Sequence, residues 1–179
     1  VAGASASGDV SGFLRAGRQE FLFWNRRMIG NSPWQPAMRA FDAFRGRAEL
    51  GIFSVDAGAS LLDAPSTFEV TQPLGDVTTV RGSGDQLYWA DLGAAFHRAV
   101  QLNLAVIVLQ QGPTPDQPDR ARSFTMPAAW IHGTPVDGLS YELEADVQLG
   151  EDGSRLHRAW SGFAALQYEI PVPTAPTFR

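Results

Sequence analysis

From Leu139 to Leu149 the chain alternates without a break. Leu139, Tyr141, Leu143, Ala145, Val147 and Leu149 are set against Ser140, Glu142, Glu144, Asp146 and Gln148. A period of two held this long fits a strand with one apolar and one wet, acidic face. Asp152-Gly153 is a hairpin turn pair. The return run puts Leu156, Trp160, Ala164, Leu166, Tyr168 and Ile170 on one face. With Asp152 and Gly153 as the loop, Leu149 stands opposite Leu156, Ala145 opposite Trp160 and Leu143 opposite Gly162. Large then meets small, as cross-strand packing asks. A slip of one residue would set the apolar row against the wet row, so the register is specified. The apolar face is expected to be core and the acidic face solvated.

Val100 to Gln110, VQLNLAVIVLQ, is the second constraint. Val100, Leu102 and Leu104 face away from Gln101 and Asn103, and from Ala105 to Leu109 both faces are apolar. That pattern predicts a central strand whose second half is covered on both sides. Further strands are expected within Phe13–Ile29 (GRQEFLFW), over Arg47–Val55, Thr67–Gln72 and Asp76–Arg81, and over Arg122–Thr125 and Ala128–His132 around Pro127. Asp56–Ser60 and the proline-rich 112–120 read as loops.

Two short helices are expected between them. Asn31-Ser32-Pro33 is a cap followed by Pro, and Trp34, Ala37, Met38, Phe41 and Phe44 recur at helical spacing up to Gly46. Asp91 can cap the second helix, with Leu92, Ala95, Phe96 and Ala99 as its apolar face. Residues 1–12 read as a flexible N-terminal arm, 13–170 as a single domain, and 171–179 as an extended Pro-rich tail. The fold class is all-β, mainly antiparallel: a β-sandwich or jelly-roll-like barrel with two short helices.

Composition excludes more than it selects. Charged residues make up 18% of the chain, below the usual quarter or so, which leaves a neutral surface of the kind neighbours cover. A net charge of −5 and scattered basic residues (Arg26-Arg27, Arg120, Arg122) argue against nucleic acid. All fourteen basic residues are Arg, so Schiff-base and P-loop lysines are excluded. Without Cys there are no disulfides, thiolates or cysteine metal sites. No apolar run approaches the roughly 18 residues of a membrane helix. The start, VAGASASGDVSG, lacks the basic and apolar regions of a signal peptide.

Chemistry-bearing residues are sparse. His97, His132 and His157 have no metal-ligand spacing. Gly82-Ser83-Gly84 is a flexible turn, and no G-x-S-x-G occurs. Glu142, Glu144 and Asp146 form an acidic row. Such a row reads as a solvated or anti-aggregation face. It is otherwise a carboxylate site for glycoside hydrolysis, or a surface meeting Arg residues of a neighbouring subunit. The five tryptophans suit core or interface, or a sugar platform, with Trp34 and Trp160 on expected core faces. No catalytic residue, cofactor or metal is assigned. The candidate interface residues are Trp24, Trp89, Trp130, Glu142, Glu144, Asp146, Pro171, Pro173 and Phe178.

The whole pattern resembles the small β-sandwich and jelly-roll structural proteins of phage and virus particles. The Gly/Ala/Ser arm (Val1–Gly12), the set of short strands, the proline loop (Gly112–Asp119) and the tail (Pro171–Arg179) carry the resemblance. It implies a non-enzymatic, self-assembling capsid or tail-tube subunit. Its partners would be itself and other subunits of the same assembly, located in the virion; outside such a particle the chain would be soluble. The alternatives are a carbohydrate- or small-ligand-binding β-sandwich module and a hydrolase with a carboxylate site.

Overall fold

Alternation with a period of two runs through most of the sequence, and the chain folds accordingly. The computed structural model describes residues 2–4, 10–20, 22–25, 27–29, 40–64, 66–71, 77–82, 84–114, 117 and 121–169. In chain order the strands are β1 (Ala2–Ala4), β2 (Val10–Gln19), β3 (Phe41–Leu50), β4 (Phe53–Asp63), β5 (Ser66–Thr71) and β6 (Val77–Gly82). They continue with β7 (Asp85–His97), β8 (Val100–Gln111), β9 (Arg122–Val136), β10 (Leu139–Asp152) and β11 (Arg155–Tyr168). Nine form one antiparallel sheet in the order β1-β2-β3-β4-β7-β8-β9-β10-β11, and β5 pairs with β6 alone. Once the β5–β6 hairpin is set aside as an insertion, every neighbour in the sheet is a neighbour in sequence. The sheet is therefore a meander of hairpins, open at β1 and β11.

The two ends of the sheet differ. At one end β3–β4, β7–β8 and β9–β10 close through Gly51-Ile52, Arg98-Ala99 and Asp137-Gly138. At the other the chain runs through 20–40, 64–84 and 112–121, and only β10–β11 is joined tightly, through Gly153-Ser154.

The all-β, antiparallel class holds, but the sandwich or jelly-roll arrangement does not. The described strands form one long layer and a hairpin, with no helix among the described residues. Phe41 and Phe44 of the expected first helix lie in β3, and its positions 31–39 lie outside the described residues. The expected second helix is the end of β7, the Arg98-Ala99 turn and the start of β8. Ala and Gly fill both faces there, so helical and strand spacings fit the same letters. Residues 2–4 and 10–12, expected in an arm, lie in β1 and β2. The strand expected to reach Trp24 stops at Gln19.

Arg47–Val55 is two strands rather than one, because Gly51, at φ 56°, takes the left-handed turn open to glycine. Asp56–Ser60 is strand, not loop. Arg122–His132 is continuous in β9. There Pro127 has no N–H to give β10, and the ladder skips from Asp146↔Ala128 to Leu149↔Thr125. The last hairpin turns one residue later than expected, with Asp152 opposite Arg155. Leu149 faces Arg158, Ala145 faces Gly162 and Leu143 faces Ala164. The pairing moves by two residues, so each side chain keeps its face.

That register sorts the side chains. Crossing the sheet from Glu144, one face runs through Trp130, Asn103, Gly93, Ser54, Glu49 and Ser11. The other runs from Leu143 through Ile131, Leu102, Ala94, Phe53 and Leu50. The first, the inner face, holds the core: Phe41, Ala43, Leu87, Trp89, Ala105 and Ile107 pack with Phe23 and Ile29 from the segment after β2. The apolar outer face is bare, with Leu104 51% and Trp160 83% exposed. The expected polarity is thus reversed. Glu144 and Asp146 are buried at 5% and 7%, and the leucines of β10 are not. Likewise β8 is covered on one side only, since Val106 stays 43% exposed.

Candidate functional site

β2 ends where Gln19 Nε2 donates to the Ala43 carbonyl at 2.9 Å. The chain then turns back over the inner face. Phe23 N–H donates to the Ile29 carbonyl at 2.9 Å and ties residues 22–29 into a loop. Trp24 sits at φ 48°, a conformation that a bulky residue adopts only when its surroundings enforce it. Here they do. The Trp24 ring stacks on Phe23 at 5.1 Å and on Trp130 at 5.7 Å, and Trp130 stacks on His132 at 3.7 Å. Trp24 Nε1 donates to Asp91 Oδ1 at 3.0 Å, while Asn103 Nδ2 donates to Asp91 Oδ2 at 2.9 Å. Arg27 reaches further, to 3.8 Å from Glu144 Oε1, with its Cζ 4.4 Å from the Phe163 ring centre. Stacking, charge-assisted hydrogen bonds and a cation–π contact together hold the segment on the sheet.

Beneath it lies a second polar network. Asp56 on β4 is directly opposite Asp91 on β7, a pairing that repels when both are ionised. Each carboxylate is supplied with donors. Asp56 accepts from Arg45 Nε at 3.0 Å and from Trp89 Nε1 at 3.0 Å. Asp91 accepts from Trp24 and Asn103. Trp89 lies over Gly58, its cross-strand partner, and a Cβ there would collide with the indole. Only glycine lets the ring lie flat enough to reach Asp56.

The segment covers the half of the inner face nearer the long connections. Towards the short turns the face opens into a cavity of about 250 Å³ lined by Arg47, Glu49, Ser54, Gln101 and Asn103, among others. Its polar walls suit a hydrated solute. Among the described residues no three His, Asp or Glu side chains converge on a metal position. His157 lies 3.2 Å from Gln148 Oε1 and edge-on to Phe124.

Six of the candidate interface residues share this inner face or the segment on it. Trp89, Trp130, Glu142, Glu144 and Asp146 project from β7, β9 and β10, and Trp24 lies over them. Pro171, Pro173 and Phe178 fall outside the described residues. The structure joins Trp24 to Trp130 by stacking and links the same segment to Glu144 through Arg27. It does not bring the three histidines together in one site. Sequence reading missed Arg27, set aside as too sparse a basic run, and Phe163. It also misplaced Asp91, which is no helix cap but an inner-face acceptor. The usable signal was spacing: Trp89, Asp91 and Gly93 keep the same period of two as Glu142 and Glu144.

No curated protein and no solved structure matched the chain. The sequence model for alginate export matches residues 2–179. This overturns the expectation of a capsid or tail-tube subunit and, with it, the virion or soluble location. An export family is one of transport proteins, and the chain is not an enzyme. With nearly its whole length matched, the chain belongs to the alginate export family.

Proposed function

We propose that the large sheet is wall of a transmembrane β-barrel in an outer membrane, with lipid against its outer face and a water-filled passage against its inner face. The observation that carries this reading is the one-sided distribution of exposed apolar side chains. Leu14, Phe44, Val55, Leu92, Leu104, Leu143 and Trp160 are all exposed, and all stand on the outer face. A soluble sheet would bury that face. A membrane barrel leaves it bare and turns its polar residues inward.

Three further features support it. The outer residues of β8 from Val100 to Val108, and of β10 from Leu139 to Leu149, include no charge, over the roughly 9–11 residues that cross a bilayer. Outer aromatics gather near the two ends: Phe53, Tyr141 and Tyr168 by the short turns, Phe44, Tyr88 and Trp160 nearer the long connections. Barrels carry such girdles at both interfaces. The short-turn and long-loop ends match the periplasmic and external sides of such barrels.

In this reading segment 22–29 is a constriction folded into the passage from the external end. The absence of a long apolar helix among the described residues does not bear on a protein that crosses by strands. Reconstitution of the full chain into liposomes tests the proposal. Solute-driven swelling and discrete conductance steps are expected. A chain that stays in the aqueous phase with its outer face shielded by self-association would refute it.

A further inference from the structure

The outer face carries its charge at one end only. Among the described strand residues its Asp, Glu and Arg side chains are Arg18, Asp42, Glu151 and Arg158, all towards the long connections. Asp63, past the bulge in β4, pairs with Asp85 and so belongs to the inner face. Towards the short turns the outer face ends in Leu50, Phe53, Val100, Leu139 and Tyr168. Arg18 and Asp42 are cross-strand partners and lie 3.7 Å apart. Arg158 differs. It stands opposite Leu149, with Leu156 and Trp160 before and after it on its own face of β11, and all three are exposed. Glu151 is diagonal to it on β10, yet among the described residues Arg158 forms no ion pair.

Height places this guanidinium. From Arg158 to Tyr168 β11 advances ten residues, about 33 Å at roughly 3.3 Å per residue. A tilt of about 40° makes that about 25 Å, the height of a barrel's apolar band. Arg158 thus stands at the border of the band, at headgroup level, beside a tryptophan suited to that level. A guanidinium there lays its stem along apolar surface and takes its partner from the headgroups. Its planar fork fits the oxygens of a phosphate two at a time.

We infer that Arg158 and Trp160 form a docking site for a phosphorylated lipid of the outer leaflet, with the guanidinium on a phosphomonoester and the indole against the lipid's upper chain carbons. The inference rests on the membrane reading above. It commits to the outer leaflet because the opposite border of the described outer face has no arginine to offer. A phosphomonoester, with about −1.5 to −2 charge and three terminal oxygens, meets the fork better than a diester, which keeps a single charge. Glu151 repels the same phosphate and so limits its affinity.

The test titrates the full chain, folded in detergent micelles, with diphosphoryl lipid A, with its dephosphorylated form and with phosphatidylglycerol, and counts bound lipid by native mass spectrometry. Diphosphoryl lipid A is expected to bind tightest. Arg158→Gln, at an exposed position, should weaken it about tenfold, and Arg158→Lys by less, since the charge stays and the fork is lost. Glu151→Gln should tighten it severalfold, whereas Arg18→Gln, which removes an arginine already facing Asp42, should leave it unchanged. Equal binding of the dephosphorylated form, or no response to Arg158→Gln, would overturn the inference while leaving the membrane reading of the folded protein intact. A chain that enters neither micelles nor vesicles would overturn both.

Discussion

Placing an arginine at the middle of the outer face separates a membrane wall from a soluble sheet most sharply. Leu104 is the central outer residue of β8, between Leu92 on β7 and Ala129 on β9. Val100 and Val108 bound the apolar run on either side of it. Each is four residues away, about 13 Å along the strand at roughly 3.3 Å per residue. A tilt of about 40° reduces that to about 10 Å of height, which puts Leu104 close to the bilayer midplane. Arginine there costs about 2–4 kcal/mol in a barrel, against about 0–1 near an interface. Leu104→Arg should therefore lower the folded-to-unfolded ratio in liposomes by roughly 30- to 1,000-fold, and Val108→Arg by much less. In a soluble sheet Leu104, already 51% exposed, would accept arginine within about 0.5 kcal/mol. Reversible urea unfolding in phosphatidylcholine vesicles, followed by tryptophan fluorescence, measures both variants. Equal stability of Leu104→Arg, Val108→Arg and the parent would refute the reasoning.

Other positions test the inner face. Gly58→Ala drives a methyl into the Trp89 indole, so a loss of about 1–3 kcal/mol is expected in the same unfolding assay. Asp56→Ala removes the carboxylate shared by Arg45 and Trp89. About 3 kcal/mol should be lost, moderated because Asp91 across the ladder loses a repelling neighbour. Trp24→Ala removes the Trp130 stack and one donor to Asp91. The segment should lift from the wall, raising single-channel conductance while the circular dichroism of the strands is unchanged.

Much of the ladder was legible in the sequence, and its polarity was not. Leu139–Leu149 announces a strand because six apolar residues never share a face with the acidic row. The same alternation describes a soluble sheet and a membrane wall, since period fixes which residues share a face and says nothing of what that face meets. The low charge was read as a surface awaiting neighbours, when lipid is equally such a neighbour. β3 and the end of β7 were hidden because Ala43, Gly46, Gly93 and Ala94 satisfy helical and strand spacings alike. The β3–β4 hairpin was hidden because Gly51-Ile52 sits inside an apolar run. Glu144 was visible as part of a row. Its burial was not, because Arg27, which lies against it, and Trp24, stacked on its cross-strand neighbour Trp130, come from over a hundred positions away in the chain. Loop closure over such a span leaves no local pattern to read.

The chain has no cysteine, which makes single-cysteine spin labelling along β8 the most direct measurement of which face meets lipid. Labels at positions 100 to 108, one at a time in reconstituted vesicles, would be probed for collision with oxygen, which partitions into lipid, and with a polar nickel complex. Oxygen access is expected to peak at 102, 104 and 106 and the nickel complex at 101 and 103, two profiles out of phase with a period of two. Nickel access at 102, 104 and 106 equal to that at 101 and 103 would contradict a lipid-facing outer surface.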